Sequence, residues 1–89
     1  MERILSSIDK LIKRLKSKPK DFTWAELARL FGNLNFEEIT RGKTGGSRRK
    51  FYNKKTGLII NLHKPHPESI VKLYSIEQII KKLEEEGLI

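Results

Sequence analysis

The chain has no cysteine among its 89 residues. This absence excludes disulfide bonds, thiol catalysis and metal sites built on thiolates. The two histidines lie in a segment without acidic residues, so no metal centre and no cofactor are expected. No apolar run is longer than residues 58–60, far below the roughly 20 residues that span a bilayer. The first residues also lack the apolar stretch of a signal peptide, so we expect a cytoplasmic protein with no membrane contact.

Acidic residues are absent between Ile39 and Pro67, although this segment holds eight Lys and Arg residues and both histidines. The other 11 basic residues are matched by all 11 acidic ones, so the segment accounts for the whole net charge of +8. A surface of one sign attracts polyanions and speeds their arrival, which indicates a nucleic-acid partner. The basic residues are Arg41, Lys43, Arg48, Arg49, Lys50, Lys54, Lys55 and Lys64.

The length allows one small domain with one modest core, because a chain of this size buries only about 60–65% of its unfolded surface. Its composition, 37% hydrophobic and 34% charged, is typical of a globular protein rather than of a disordered tail.

Two helices are predicted before the basic segment. Apolar residues at helical spacing predict the first helix over residues 3–16, and Pro19 ends it. Thr23 and Glu26 have the spacing of a capping box, which predicts the start of a second helix. We expect this helix to stop at Gly32.

Three antiparallel strands should follow, with Gly57 at the positive-φ position of the second turn. Lys, Arg and Gly residues fill the loop between the first two strands. The strands are predicted at residues 36–40, 47–53 and 58–63.

A third helix is predicted after a loop over residues 64–73, whose two prolines cannot pair as a regular strand. Ser75 and Gln78 repeat the N-cap spacing, and Gly87 is the expected end. The predicted fold is therefore α+β, in the order α-α-β-β-β-α.

One face of a three-stranded sheet should stay open, because so few helices cannot cover both faces. If Phe51 and Leu62 mark the packed side, alternation assigns five polar or aromatic side chains to the other side. Two cations, an aromatic ring, an amide and an imidazole would suit single-stranded RNA. These residues are Arg48, Lys50, Tyr52, Asn61 and His63.

His63 and His66 flank Lys64 in the acid-free segment. Imidazole beside a bound phosphate can move a proton during RNA cleavage. A histidine at a strand end or between prolines can equally be structural, and the two interpretations stay balanced. For the three successive cations at 48–50, mutual repulsion in mid-strand favours a ligand or partner over a solvated surface.

The segment from Thr23 to Leu88 resembles the HicA family of small bacterial and archaeal toxins, the mRNA interferases of toxin–antitoxin pairs. The similarity lies in the capped helix, the short strand, the turn and strand at 45–51, the apolar third strand and the final amphipathic helix. Residues 62–67, Leu-His-Lys-Pro-His-Pro, are similar to the motif of one branch of the family. The chain would then consist of an N-terminal helical extension, 1–20, and a HicA-like domain, 21–89.

This resemblance implies a fold like that of the double-stranded-RNA-binding domain, metal-independent cleavage of mRNA, and silencing by a HicB-type antitoxin. The apolar stripe of the first helix is expected to be core, with a dimer or antitoxin contact as the alternative. The expected RNA contacts are Arg41, Lys43, Arg48, Arg49, Lys50, Tyr52 and Lys64.

The common family pattern is Gly-Ser-His, with that histidine taken as catalytic, and the matching position here is Arg48. Arginine cannot act as a base at physiological pH. We therefore expect His63 or His66 to transfer the proton, with His63 as the base. The alternatives are a module that binds double-stranded RNA without cutting it, and a protein whose basic face meets only an acidic protein.

Overall fold

The computed structural model describes residues 7–39, 48–65 and 69–89. Its elements follow the predicted order α-α-β-β-β-α, and the three strands form one antiparallel sheet in the order β1-β2-β3. The expected α+β fold is confirmed. The elements are α1 (Ser7–Lys16), α2 (Trp24–Asn33), β1 (Phe36–Ile39), β2 (Arg48–Asn53), β3 (Ile59–His63) and α3 (Leu73–Glu85).

Helix α2 begins with the predicted capping box. The Glu26 amide donates to Thr23 Oγ1 at 3.1 Å, and the Thr23 amide donates to Glu26 Oε1 at 2.9 Å. The helix ends at Asn33, one residue beyond the stop expected at Gly32. The left-handed conformation that ends it is taken by Asn35, with φ 74°, and asparagine tolerates this conformation better than most residues.

A short backbone bridge joins the start of α2 to the segment before α3. The Trp24 amide donates to the Ser69 carbonyl and the Val71 amide donates to the Phe22 carbonyl, both at 2.7 Å. The bridge interrupts the segment predicted to be plain loop.

The predicted N-cap of α3 is wrong. The helix starts at Leu73, two residues before Ser75, and Ser75 is buried inside the first turn. Lys72 is the N-cap and makes no side-chain cap hydrogen bond. The Val71 amide of the bridge lies two residues before this start, so the chain enters the helix directly from a hydrogen-bonded segment. At the other end Gly87, with φ 72°, follows the helix as predicted.

One core lies between the helices and one side of the sheet. The Phe31 ring is 4.7 Å from the Phe51 ring and 4.9 Å from the Phe36 ring, which joins α2 to β1 and β2. Leu11 and Leu15 bury the apolar stripe of α1 in the same core. Each fully buried side chain of this size contributes about 1.5–3 kcal/mol.

Arg14 joins α1 to the start of α2. Its Nε lies 2.8 Å from Glu26 Oε2, its Nη2 lies 3.1 Å from Asp21 Oδ1, and its guanidinium lies 5.5 Å from the centre of the Phe22 ring. The hydrogen bond from Arg14 lowers the pKa of the Glu26 carboxyl to about 2, and the hydrogen bonds from Thr23 act in the same direction. Glu26, the second residue of the capping box of α2, therefore also holds α1 in place.

Asn53 fixes the turn between β2 and β3. Its side chain is fully buried, and its Nδ2 donates to the Leu34 carbonyl at 2.8 Å. Its Oδ1 accepts from the amides of Lys55 and Thr56, both at 2.9 Å. Gly57 follows with φ 79°, as predicted. One side chain thus sets the hairpin and attaches it to the end of α2.

Candidate nucleic-acid interface

The sheet has one packed side and one exposed side, as strand alternation predicted. Phe51, Ile60 and Leu62 are at most 6% exposed and belong to the core. The residues between them on β2 and β3 point away from the helices. We call the part of this exposed side on β2 and β3 the open face, formed by Arg48, Lys50, Tyr52, Ile59, Asn61 and His63. Glu37 and Ile39 of β1 flank it, opposite Tyr52 and Lys50.

The open face is built from three cross-strand pairs. The Asn53 amide donates to the Leu58 carbonyl at 2.9 Å, so Asn53 and Leu58 form a hydrogen-bonded pair. In an antiparallel ladder such pairs alternate with pairs that are not hydrogen-bonded. The pairs on the open face are the other set, whose Cα atoms lie about 4.5 Å apart and whose side chains approach most closely. They are Arg48 with His63, Lys50 with Asn61, and Tyr52 with Ile59.

Positive charge is concentrated at one end of the open face. Arg48 and Lys50 are exposed, and no carboxylate in the described part of the chain pairs with either side chain. His63 is exposed opposite Arg48, and the exposed Lys64 follows it. A phosphate lying between β2 and β3 could therefore contact a guanidinium and an imidazole together.

Two other cations of the acid-free segment are paired with carboxylates of β1. Arg49 points to the packed side, where its Nε lies 3.0 Å from Glu38 Oε2. Lys54 Nζ lies 3.4 Å from Glu37 Oε2. Neither pairing was foreseen, because the acids precede the segment in sequence. The antiparallel register of β1 and β2 brings them beside it.

Three of the predicted site residues, Arg41, Lys43 and His66, lie outside the described residues. The structure brings four of the others, Arg48, Lys50, Tyr52 and His63, to the open face, and Lys64 follows at the end of β3. Arg49 is separated from them, because it points to the packed side.

Ile59 is a member of the open face that the predicted site omitted. It is 44% exposed and it faces Tyr52 across the strands. Strand alternation puts Ile59 on the same side as Asn61 and His63, and this alternation is the sequence signal that could have identified it.

The described residues contain no group of three or more His, Asp or Glu side chains placed to hold a metal ion. None of their helices is long and apolar enough to cross a membrane.

Comparison with known proteins identifies one family. A model described as the HicA toxin of bacterial toxin-antitoxin systems matches residues 24–84, more than half of the chain. The match runs from the first residue of α2 into the last turn of α3 and leaves α1 outside. Searches of curated proteins and of solved structures found no match.

Proposed function

The chain belongs to the HicA toxin family of bacterial toxin–antitoxin systems, and we propose that it is a cytoplasmic RNA-binding toxin that cleaves mRNA without a metal ion. Members of this family are generally mRNA interferases, and the family implies an antitoxin partner. The proposed partner is of the HicB type. The observation that carries the proposal is the position of His63 directly opposite Arg48 on the open face.

RNA binding is proposed to use the charged end of the open face. Arg48 and Lys50 would hold phosphates by charge-assisted hydrogen bonds, and Tyr52 would offer a stacking surface. Arg41, Lys43, Arg49 and Lys64 are the further proposed contacts. Because phosphate contacts release counterions, affinity should fall steeply as salt rises.

The proposed chemistry is attack by the ribose 2′-oxygen on the adjacent phosphorus. A base removes the 2′-OH proton, the new bond to phosphorus forms, the bond to the 5′-oxygen breaks, and an acid protonates that oxygen. The products are a 2′,3′-cyclic phosphate and a free 5′-OH. One general acid–base group contributes about 10²–10⁴-fold, which is sufficient for slow, toxic cleavage.

His63 is the proposed base and His66 the proposed acid or RNA contact. His63 is exposed at the end of β3, on the side that also carries Arg48 and Lys50. Arg48 stands where the family pattern has its histidine, and we propose that its guanidinium stabilises the charge that develops on the phosphate.

The function is tested with the full chain and a labelled single-stranded RNA in the presence of EDTA. Cleavage that leaves 2′,3′-cyclic phosphate ends is expected. His63→Ala should abolish cleavage while RNA affinity and unfolding midpoint stay close to wild type, because the side chain is exposed. Unimpaired cleavage by the His63→Ala, His66→Ala double variant would remove the histidine mechanism.

A second candidate function is a module that binds double-stranded RNA without cutting it. Arg48 at the position of the family's histidine favours it. Binding and cleavage assays with duplex and single-stranded RNA distinguish the two candidates. A binding module would bind the duplex more tightly than the single strand and would release no product from either.

The antitoxin is proposed to act by covering the open face. A complex in which Arg48, Lys50 and His63 keep their solvent accessibility would exclude this mode of inhibition. Footprinting these residues in the free toxin and in the complex provides the comparison.

A further inference from the structure

The open face carries Arg48 and His63 at one end and the Tyr52–Ile59 pair at the other. Resting on the proposed RNA-binding function, we propose that Tyr52 and Ile59 form a base-binding subsite. It takes the base of an unpaired nucleotide in a strand whose phosphates are held by Arg48 and Lys50. The subsite would fix which phosphate of a bound strand reaches His63.

The pairing of Tyr52 with Ile59 provides the surface. They are directly opposite each other in a non-hydrogen-bonded pair, where cross-strand side chains approach most closely. Ile59 is 44% exposed and Tyr52 is half-buried, so an aromatic and an aliphatic side chain border solvent side by side. Aromatic and apolar side chains are the groups on which an unpaired nucleobase stacks.

The distance along the strands suits a nucleotide. Residues on one side of a strand are spaced by about 6.8 Å, since each residue rises about 3.4 Å. The Tyr52–Ile59 pair therefore lies about 7 Å from the Lys50–Asn61 pair and about 14 Å from the Arg48–His63 pair. The nearer distance is comparable to that between a base and an adjacent phosphate, and the farther one reaches a neighbouring nucleotide.

The charge pattern favours phosphates at the other end of the open face. Glu37 of β1 lies opposite Tyr52 on the side away from Ile59, and Lys54 pairs with it at 3.4 Å, so these two charges offset each other. No carboxylate of the described residues pairs with the side chain of Arg48 or Lys50. Phosphates are therefore expected at Arg48 and Lys50, which leaves a base for the Tyr52–Ile59 pair.

The test combines protein variants with abasic RNA. Wild type, Tyr52→Ala and Ile59→Ala are titrated with single-stranded RNAs that carry 2′-deoxy sugars to block cleavage and one abasic site moved along the strand. Tyr52→Phe keeps the stacking ring and is the matched control. Tyr74→Ala removes an aromatic side chain that is 60% exposed on α3, outside the open face.

The subsite predicts coupling at one position of the strand. Tyr52→Ala and a single abasic position should each weaken binding by about tenfold, and the two changes together should weaken it no further. Ile59→Ala should show a smaller loss coupled to the same position. Tyr74→Ala should bind as wild type, whereas Tyr52→Phe, which keeps the ring, should retain the dependence on the same abasic position. The salt dependence should be unchanged in Tyr52→Ala, since no phosphate contact is removed.

Three outcomes overturn the subsite. Independent, multiplying losses at every abasic position would show that Tyr52 and Ile59 contact no base. Weaker antitoxin binding with no RNA coupling would assign the pair to the protein partner. Failure of the wild type to bind any RNA would remove the proposed function itself. The unfolding midpoint of each variant is measured alongside. If Tyr52→Ala does not fold, Ile59→Ala is combined with the abasic positions in its place.

Discussion

Arg48 and His63 stand directly opposite each other on β2 and β3, as one of the pairs whose side chains approach most closely. We propose that Arg48 takes the position of the family's histidine, as the sequence resemblance implies; this chain then has an imidazole on the facing strand instead. A phosphate between the two strands is within reach of either position. An imidazole could therefore serve the same phosphate from β3 as from β2.

This relationship predicts that Arg48→His will rescue His63→Ala. The double variant returns an imidazole to the same cross-strand pair, so cleavage should recover at least tenfold over His63→Ala alone, within the range of one general acid–base group. Single-turnover cleavage of saturating RNA is the measurement, because the loss of Arg48 weakens binding. Arg48→Gln in the His63→Ala background is the control, and recovery there would show that loss of the positive charge, not the imidazole, is responsible.

The salt dependence of RNA binding should distinguish the two sides of the sheet. Replacing Arg48 and Lys50 by Ala should reduce the slope of log affinity against log salt by about 1.5–2, roughly one unit for each phosphate contact. Arg49→Ala is the internal control. Its guanidinium pairs with Glu38 on the packed side, so a smaller change is expected. A change for Arg49→Ala equal to that of Arg48→Ala would mean that RNA reaches around the edge of the sheet.

Asn53→Ala should lower the free energy of unfolding by about 2–3 kcal/mol, because one buried side chain satisfies three backbone groups. Urea denaturation measures the change. Asn33→Ala is the matched control: its side chain donates to the Arg29 carbonyl on the exposed surface, and its loss should cost within about 0.5 kcal/mol. Equal effects would show that the turn does not depend on Asn53.

Glu26 should make stability depend on acid pH. Its pKa in the folded protein is about 2, below the ordinary 4.5, so its contribution is complete above about pH 4.5 and is lost as the pH falls toward 2. Glu26→Gln keeps a capping side chain but not the charge. Between pH 5 and 2 the wild type should lose about 1–2 kcal/mol more than this variant, a value reduced for partial exposure. Glu85→Gln at the exposed end of α3 should follow the wild type.

Local signals in the sequence predicted most of the fold. The capping box of Thr23 and Glu26, the positive φ of Gly57 and the two-residue alternation of β2 and β3 depend on neighbouring residues, and the structure confirms each. The predicted start of α3 was wrong because it depends on a residue far away in the sequence. Ser75 has N-cap spacing, but the helix begins at Leu73, directly after the bridge that joins Val71 to the segment before α2.

The composition of the open face was predictable, but its electrostatics was not. Alternation assigned Lys50 and His63 to one side without any knowledge of strand pairing. The neutralisation of Arg49 by Glu38 depends on the register of β1 with β2, which no local pattern encodes. Ile59 was left out of the predicted site because an apolar residue in a strand normally indicates core.

The bridge between the start of α2 and the segment before α3 also has a kinetic consequence. Each strand pairing in the sheet joins consecutive strands, so it forms by closing one loop. The bridge instead joins segments on either side of the whole sheet, and we expect it to form last. Val71, buried beside it, should then have a φ-value near zero, and Val71→Ala should speed unfolding while leaving the folding rate nearly unchanged in stopped-flow measurements. The lifetime of the folded toxin, rather than the speed at which it folds, would depend on this contact.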